Sequence, residues 1–170
     1  MFRDMFKSKR QQGFTIIEVM IVLAIAGLIM VVVLVAIPQL QRNQRNEARR
    51  NVLSRIAAEV NNYISNNAGL APDEAATTNS FSTGFKPRYI DNAPAGTFDK
   101  PGGGAYTFDT WDAAQTVMAA TAAAVQDRIE YNLGASCSGE LPNGAGASAT
   151  RNFAIAVGLE GGASFCVDNQ

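Results

Sequence analysis

The chain has 170 residues, 47% apolar side chains and a formal net charge of −1. This composition excludes collagen-like, fully disordered and disulfide-dense proteins, and the charge excludes a strongly basic nucleic-acid binder. The chain has no histidine and two cysteines, so it lacks the residues for histidine-based triads, histidine-ligated zinc or a four-cysteine metal site. No nucleophile has a base beside it. We therefore expect no enzymatic activity and no cofactor.

Charge is distributed unevenly along the chain. Residues 1–12 carry a net charge of +3, residues 38–70 also carry +3, and the residues from Ala71 onward carry −6. An apolar run from Phe14 to Ile37 separates the two basic segments, and its single charged residue is Glu18. The sequence therefore predicts a basic leader, an apolar span, a basic stalk and an acidic head, in that order.

The apolar run is long enough to cross a membrane. As a helix, Phe14 to Ile37 would reach about 36 Å, against a hydrocarbon core of about 30 Å. The apolar part of a cleaved secretory signal is shorter, about 7–15 residues, and Val35-Ala36-Ile37-Pro38 is a poor small-x-small cleavage site. We predict a retained transmembrane helix, with a cleaved secretory signal as the alternative.

Glu18 and Gly13 are unusual at the start of this run. A charged carboxylate inside a membrane segment costs a few kcal/mol or more unless it has a partner, so Glu18 indicates a functional residue. If a protease cut after Gly13, the new α-amine of Phe14 would be cationic near pH 7 and would lie one helical turn from Glu18. Pairing these charges would offset their cost in an apolar layer. The alternative is that Gly13 only flanks the helix and Glu18 reaches the membrane interface.

Residues 7–27, KSKRQQGFTIIEVMIVLAIAG, followed by Ile-Pro-Gln at 37–39, resemble the class III signal peptide and N-terminal helix of type IV prepilins. The resemblance implies that a membrane prepilin peptidase cuts between Gly13 and Phe14 and that Phe14 is then N-methylated. It also implies that Glu18 pairs with a terminal amine, commonly that of a neighbouring subunit, during filament assembly.

Pro38 lies about one turn later than is usual in that family. Because proline removes a backbone donor and clashes with the preceding turn, we expect a helix kink or a locally unwound segment near Leu34–Pro38.

Residues 39–67 contain no glycine or proline and predict an amphipathic helix that continues the apolar one. Asn66 to Gly69 and then Pro72 supply a stop, so one helix should run from about Phe14 to Asn67. We interpret the arginines of this stalk as a solvated helix face, with a contact between subunits as the alternative. The expected apolar ridge is Ala48, Val52, Ile56, Val60 and Ile64, flanked by Leu53, Ala57 and Tyr63.

The head is predicted to contain a C-terminal antiparallel hairpin and a short helix. The hairpin pairs Phe153–Val157 with Ala163–Val167 around a turn at 160–162. The helix follows an N-cap at Asp109 to Asp112 and extends from Ala113 to about Ile129. Weaker strand candidates are Gly84–Ile90 and Ala105–Phe108.

The expected fold class is α+β, with a long N-terminal helix packed against a small antiparallel sheet, as the pilin resemblance also implies. The expected segments are a removed leader (1–13), a transmembrane and assembly helix (14–37), a stalk helix (38–68) and a globular head (69–170). Cys137 and Cys166 are expected to form a disulfide that brackets a C-terminal loop, as in many pilins. Two reduced, buried cysteines are the alternative.

Three weaker motifs have ordinary interpretations beside functional ones. Residues 99–106 are glycine-rich but lack phosphate-loop spacing, so we expect a flexible loop. Asp99, Asp109 and Asp112 could bind calcium, but we expect solvated acids or a helix cap. Residues 85–89 alternate bases with aromatics, as a single-strand DNA contact could, although two bases in an acidic head are thin support.

The leading interpretation is a structural subunit of a type IV pilus, used for adhesion, twitching motility or DNA uptake. Its expected partners are like subunits in a helical filament, the prepilin peptidase, the assembly machinery and, before assembly, the inner membrane with the head outside. The alternatives are a pseudopilin of a type II secretion system, a competence-type DNA-binding filament receptor, and an ordinary single-pass membrane protein.

Overall fold

The computed structural model describes residues 13–73, 80–110, 126–143 and 151–170. The chain forms two compact units, Met1–Gln41 and Arg42–Gln170. Helix α1 (Ile16–Asn66) confirms the predicted long helix.

The apolar side chains in the first part of α1 are exposed. Within the described residues, α1 is the one helix that is long and apolar enough to cross a membrane, judged by length and composition. The helix continues through Leu34–Pro38, and that described stretch contains no unwound segment. A bend at Pro38 stays a prediction.

The end of α1 has the hydrogen bonds of a left-handed helix cap. The backbone N–H groups of Asn67 and Gly69 both donate to the carbonyl of Ile64, at 3.3 and 2.9 Å. Ala68 and Gly69 have φ angles of +55° and +80°. A left-handed residue after the last turn is the common way to satisfy the final carbonyls, and glycine adopts it without a Cβ clash. The predicted stop is confirmed.

The second unit contains the sheets. Four strands form one sheet in the order β1-β2-β5-β6, and β3 pairs with β4 separately. The pairs β2–β5 and β5–β6 are antiparallel, whereas β1 lies parallel to β2. The pair β5–β6 is the predicted C-terminal hairpin. The layout is α+β with a mostly antiparallel sheet. The strands are β1 (Thr107–Thr110), β2 (Arg128–Leu133), β3 (Ser136–Ser138), β4 (Leu141–Asn143), β5 (Phe153–Gly158) and β6 (Ser164–Asp168).

The core forms where the second half of α1 packs against one face of this sheet. The apolar ridge of α1 is confirmed at Val52, Ile56, Val60 and Ile64, which are all buried, whereas Ala48 is half-buried. The sheet contributes alternate residues of its two central strands, as a period of two requires. These are Ile129, Tyr131 and Leu133 from β2, and Phe153, Ile155 and Val157 from β5.

The segment Phe81–Ile90 is a π-helix, so the predicted strand at Gly84–Ile90 is wrong. Its N–H groups reach back five residues, for example from Phe85 to the Ser80 carbonyl at 3.0 Å. Aromatic rings at every fourth position, Phe81, Phe85 and Tyr89, are in contact. The rings of Phe81 and Phe85 are tilted at a centroid separation of 5.2 Å, and those of Phe85 and Tyr89 are stacked at 5.3 Å. That spacing is helical, and it was the signal against a strand.

The predicted helix from Ala113 to about Ile129 is wrong at its expected N-cap and at its expected last residue. Asp109, its expected N-cap, lies in β1, and Ile129 lies in β2. Residues 111–125 lie outside the described residues. The strand was missed because Ile129 fits the helical spacing of the preceding apolar residues, whereas the alternation of Ile129, Tyr131 and Leu133 indicates a strand.

Candidate processing and assembly site

The first turn of α1 is closed by reciprocal hydrogen bonds between Thr15 and Glu18. Glu18 Oε2 accepts from the backbone N–H of Thr15 at 2.8 Å and from its hydroxyl at 2.7 Å. The N–H of Glu18 donates to Thr15 Oγ1 at 3.3 Å. This is a capping box, which satisfies donors at the helix start and places a negative charge at the positive end of the helix dipole. Glu18 Oε1 has no hydrogen-bond partner among the described residues.

Sequence reasoning identified Glu18 but missed Thr15. The Thr-x-x-Glu spacing before an apolar run was the available signal. Phe14 precedes the cap, and its side chain is 88% exposed. The pairing of Glu18 with a terminal amine stays a prediction. Among the described residues, no hydrogen bond to Glu18 Oε1 competes with such an amine.

Gly13 lies in open space before the helix. A Cβ added there would meet nothing within 4 Å, and its φ is outside the left-handed region. The described chain therefore places no steric or backbone requirement on glycine at this position. Any requirement for a small residue must come from a molecule that binds this segment.

Glu160 lies in the turn between β5 and β6. Its carboxylate, its backbone N–H and its backbone carbonyl all form hydrogen bonds with residues of α1. Its carboxylate accepts from Arg45 Nε and Nη2 at 2.6 and 2.7 Å and from Arg49 Nη1 at 3.0 Å. Asn46 donates to the Glu160 carbonyl at 3.1 Å and accepts from its N–H at 2.8 Å. We call these four residues the Glu160 clamp.

The charges of the Glu160 clamp are partly buried. Arg49 is 4% exposed, and its Nε also donates to the carbonyl of Gln126 at 3.3 Å. The hydrogen bonds from Arg45, and then those from Arg49, lower the pKa of Glu160 to about 2 against the opposing effect of burial. The carboxylate therefore stays ionised, and it neutralises a buried guanidinium.

The interpretation of the stalk arginines as a solvated face is wrong for Arg49, which is buried. Arg42 and Arg55 are exposed, and the side chains of Arg45 and Arg50 are 40% and 42% exposed while they also contact the second unit. Arg45 and Arg49 belong to the Glu160 clamp. The guanidinium of Arg50 lies over the ring of Phe165, and that of Arg55 lies over the ring of Phe98, each 5.5 Å from the centroid. Such cation–π contacts are favourable, so these arginines attach α1 to the strands and loops of the second unit.

The disulfide joins β3 to β6. Cys137 and Cys166 are bonded, with Cα atoms 5.9 Å apart, as predicted. Asp168 Oδ2 accepts from the backbone N–H of Cys137 at 2.6 Å, and Glu140 Oε2 accepts from the N–H of Ser164 at 3.4 Å. The β3–β4 hairpin is therefore fixed to the edge strand by one covalent bond and two hydrogen bonds.

We expect the double variant Cys137→Ser/Cys166→Ser to lose roughly 3 kcal/mol of unfolding free energy, because the cross-link closes a loop with a sequence separation of 29. The measurement is urea unfolding of the full chain in detergent micelles. Reductant should lower the wild-type midpoint to a similar extent and leave the double variant unchanged. A wild-type midpoint that does not respond to full reduction would contradict the expectation.

The glycine-rich residues 99–106 form a tight turn. The Lys100 N–H donates to the Gly104 carbonyl at 3.0 Å, and the Lys100 ammonium pairs with Asp127 at 2.9 Å. The loop is thus closed by its own backbone.

The three aspartates considered for calcium are not brought together by the described residues. Asp109 pairs with Arg128 at 3.4 Å, Asp99 is exposed in the turn, and Asp112 lies outside the described residues. The part of the chain that the structure describes contains no group of three potential metal ligands.

Most side chains of the aromatic and basic segment at 85–89 make contacts within the protein. The ring of Phe85 is fully buried, and Tyr89 stacks on it. Lys86 pairs with Asp91 at 2.8 Å. Only Arg88 remains exposed without an ion pair among the described residues, so this segment does not offer successive ring faces to a nucleic acid.

Residues 8–34 match a family model described as the prokaryotic N-terminal methylation motif. No curated protein and no solved structure matches the chain. With its capped, exposed apolar helix, the chain carries the N-terminal methylation motif of the type IV pilin and type II secretion pseudopilin family. Proteins of this family are structural and non-enzymatic. The motif implies, in general, a membrane-anchored precursor, processing by a prepilin peptidase and filament assembly.

Proposed function

We propose that the chain is a structural subunit of a type IV pilus. It is made as a membrane-anchored prepilin, cut between Gly13 and Phe14, N-methylated at Phe14 and polymerised into an extracellular surface filament for adhesion, motility or DNA uptake. The observation that carries the proposal is the methylation motif at residues 8–34 on an exposed apolar helix. Two features of the described residues support it: Glu18 Oε1 has no hydrogen-bond partner among them, and a Cβ at Gly13 would meet none of them within 4 Å.

The proposed segments are the leader (1–13), the membrane and assembly helix (14–37), the stalk (38–68) and the head (69–170). Large apolar side chains of α1 are exposed as far as Leu40, and the first buried residue of the helix is Arg49. The change of surface supports a helix that is covered by lipid or sister helices in its first part and by the head in its second.

The precursor is proposed to cross the inner membrane once, with the head outside. The disulfide between Cys137 and Cys166 supports this orientation because disulfides persist in oxidising compartments. Basic residues lie on both sides of the span, so they do not decide the orientation.

A pseudopilin of a type II secretion system is the second candidate, because the same N-terminal motif occurs in both groups. The disulfide near the C-terminus favours a pilin, as many pilins have one there. Residues 85–89 do not support a competence-type DNA-binding filament receptor, because their rings pack against the core.

Mass spectrometry of the protein from cells tests the processing. We expect a chain that begins at Phe14, carries one added methyl group and lacks the two hydrogens of the disulfide. The variant Gly13→Val should accumulate as uncut precursor, because the new side chain meets nothing in the described chain and changes only what a peptidase encounters. A working protein that retains residues 1–13 would contradict the proposal. Recovery in sheared surface filaments favours a pilus, whereas loss of protein secretion in a deletion strain favours the pseudopilin.

A further inference from the structure

A groove of about 340 Å³ lies in the second unit between α1 and the chain around the end of the π-helix. Helix α1 contributes Arg55 and Glu59, the π-helix contributes Arg88 and Tyr89, and the following loop contributes Phe98. The groove contains no residue of the processing segment, the Glu160 clamp or the disulfide hairpin. Arg55 and Phe98 already form a cation–π contact, and Tyr89 stacks on Phe85. No contact described above involves Arg88, Asn92 or Thr97.

The groove brings together two guanidinium groups that have no ion-pair partner. Arg55 and Arg88 are exposed, and neither forms an ion pair with the described residues. Among the described residues that line the groove, Glu59 is the one with a carboxylate. The excess positive charge favours an anion, and a guanidinium binds carboxylates through two parallel hydrogen bonds. Most basic residues of this unit are instead paired, namely Arg45, Arg49, Arg50, Lys86, Lys100 and Arg128.

The rest of the groove suits a ligand with hydroxyl groups. The amide of Asn92 and the hydroxyl of Thr97 line it and can each donate and accept hydrogen bonds. Pro94 and Ala93 add a small apolar surface. Polar groups beside a limited apolar surface fit a sugar, which presents hydroxyls at its edge and C–H groups on its face.

One face of each aromatic ring in the groove is already covered, and Phe98 is buried. Tyr89 stacks on Phe85 at 5.3 Å, and the guanidinium of Arg55 covers Phe98 at 5.5 Å. Single-stranded nucleic acids bind mainly by stacking bases on free aromatic faces, so the groove does not suit them.

We propose that this groove binds an acidic saccharide. Arg55 and Arg88 bind a sugar carboxylate, while Asn92 and Thr97 form hydrogen bonds with neighbouring hydroxyls. This adds a ligand class to the head of the proposed filament subunit. Binding needs only the folded second unit, so failure to bind and failure to form filaments are separate results.

The test uses the full chain in detergent micelles, titrated calorimetrically with hexagalacturonate as the acidic probe and maltohexaose as its neutral counterpart. We expect hexagalacturonate to bind at least about tenfold more tightly than maltohexaose. The variant Arg55→Gln/Arg88→Gln should weaken binding by about tenfold or more. The matched variant Arg42→Gln/Arg151→Gln removes the same charge at positions outside the groove and should change binding by less than about twofold.

Several results would overturn the proposal. These are no binding of hexagalacturonate at millimolar concentration, equal losses in the two double variants, or equal binding of both sugars. Tighter binding of an oligothymidylate would identify a nucleic-acid site instead. Self-association that depends on Arg55 and Arg88 without sugar binding would identify a second copy of the chain as the partner. If the double variant unfolds, the single variant Arg88→Gln tests the proposal instead, because Arg88 makes no ion pair within the described chain.

Discussion

Glu18→Ala should reduce the yield of sheared surface filaments by at least about tenfold, while the processed subunit still accumulates in the membrane. If the chain is processed as proposed, the variant would leave the cationic terminal amine of Phe14 without a carboxylate in an apolar layer, which costs several kcal/mol. The measurement compares filament protein in the sheared fraction with processed subunit in the cell fraction. Wild-type filament yield would contradict an assembly role for Glu18.

Two further variants separate the charge of Glu18 from its part in the capping box. Glu18→Gln keeps an acceptor for the N–H of Thr15 but has no charge, since glutamine also serves in capping boxes. Thr15→Ala removes the cap and keeps the charge. We expect Glu18→Gln to assemble as poorly as Glu18→Ala, and Thr15→Ala to assemble nearly as well as wild type. The reverse order would show that helix capping, and not charge pairing, is what assembly requires.

Glu160→Ala should lower the free energy of unfolding by about 3 kcal/mol, because it leaves the buried guanidinium of Arg49 without its counter-charge. It also removes the bidentate bonds to Arg45. The measurement is urea unfolding of the full chain in micelles. Glu47→Ala is the matched control: it breaks an exposed pair with Arg50 and should cost less than about 0.5 kcal/mol. Equal losses in the two variants would contradict a special role for the clamp.

The same contact predicts an acid-sensitive stability. The folded-state pKa of Glu160 is about 2, below its ordinary value of 4.5. The unfolded chain therefore takes up the proton first as pH falls, so the contribution of Glu160 is complete above pH 4.5 and is lost progressively as pH falls towards 2. Unfolding midpoints measured over this range should fall for wild type and fall less for Glu160→Gln. Parallel curves would contradict the assignment.

The stalk was predictable because its information is local. The positions of Val52, Ile56 and Val60 define one face at a helical period, and the ending at Asn67 and Gly69 depends on neighbouring residues. The hairpin of β5 and β6 was predictable for the same reason. The strand β2 was missed because two local patterns compete there: Ile129 fits the preceding helical spacing as well as the alternation of β2. Its pairing with β1 and β5, which decides between them, involves residues distant in the sequence.

The residues of the candidate site also divide into those that local sequence could predict and those that it could not. Glu18 stands out in the sequence as the one charge in an apolar run, and Thr15 lies within a short motif that could have been recognised. The Glu160 clamp could not be predicted, because Glu160 and its partners Arg45 and Arg49 lie 115 and 111 positions apart. A pattern of arginines along a helix does not show which of them will be buried.

The Glu160 clamp would have a mechanical consequence if the chain works in a filament, as we propose. Its bonds involve one turn residue and three residues near the start of the head-bearing part of α1. A pull on the helix that shears it past the β5–β6 turn loads these bonds in parallel, so they must rupture together and not one after another. The clamp thus gives this end of the head a resistance to tension, with three of its five hydrogen bonds made by the Glu160 carboxylate and two by the Glu160 backbone.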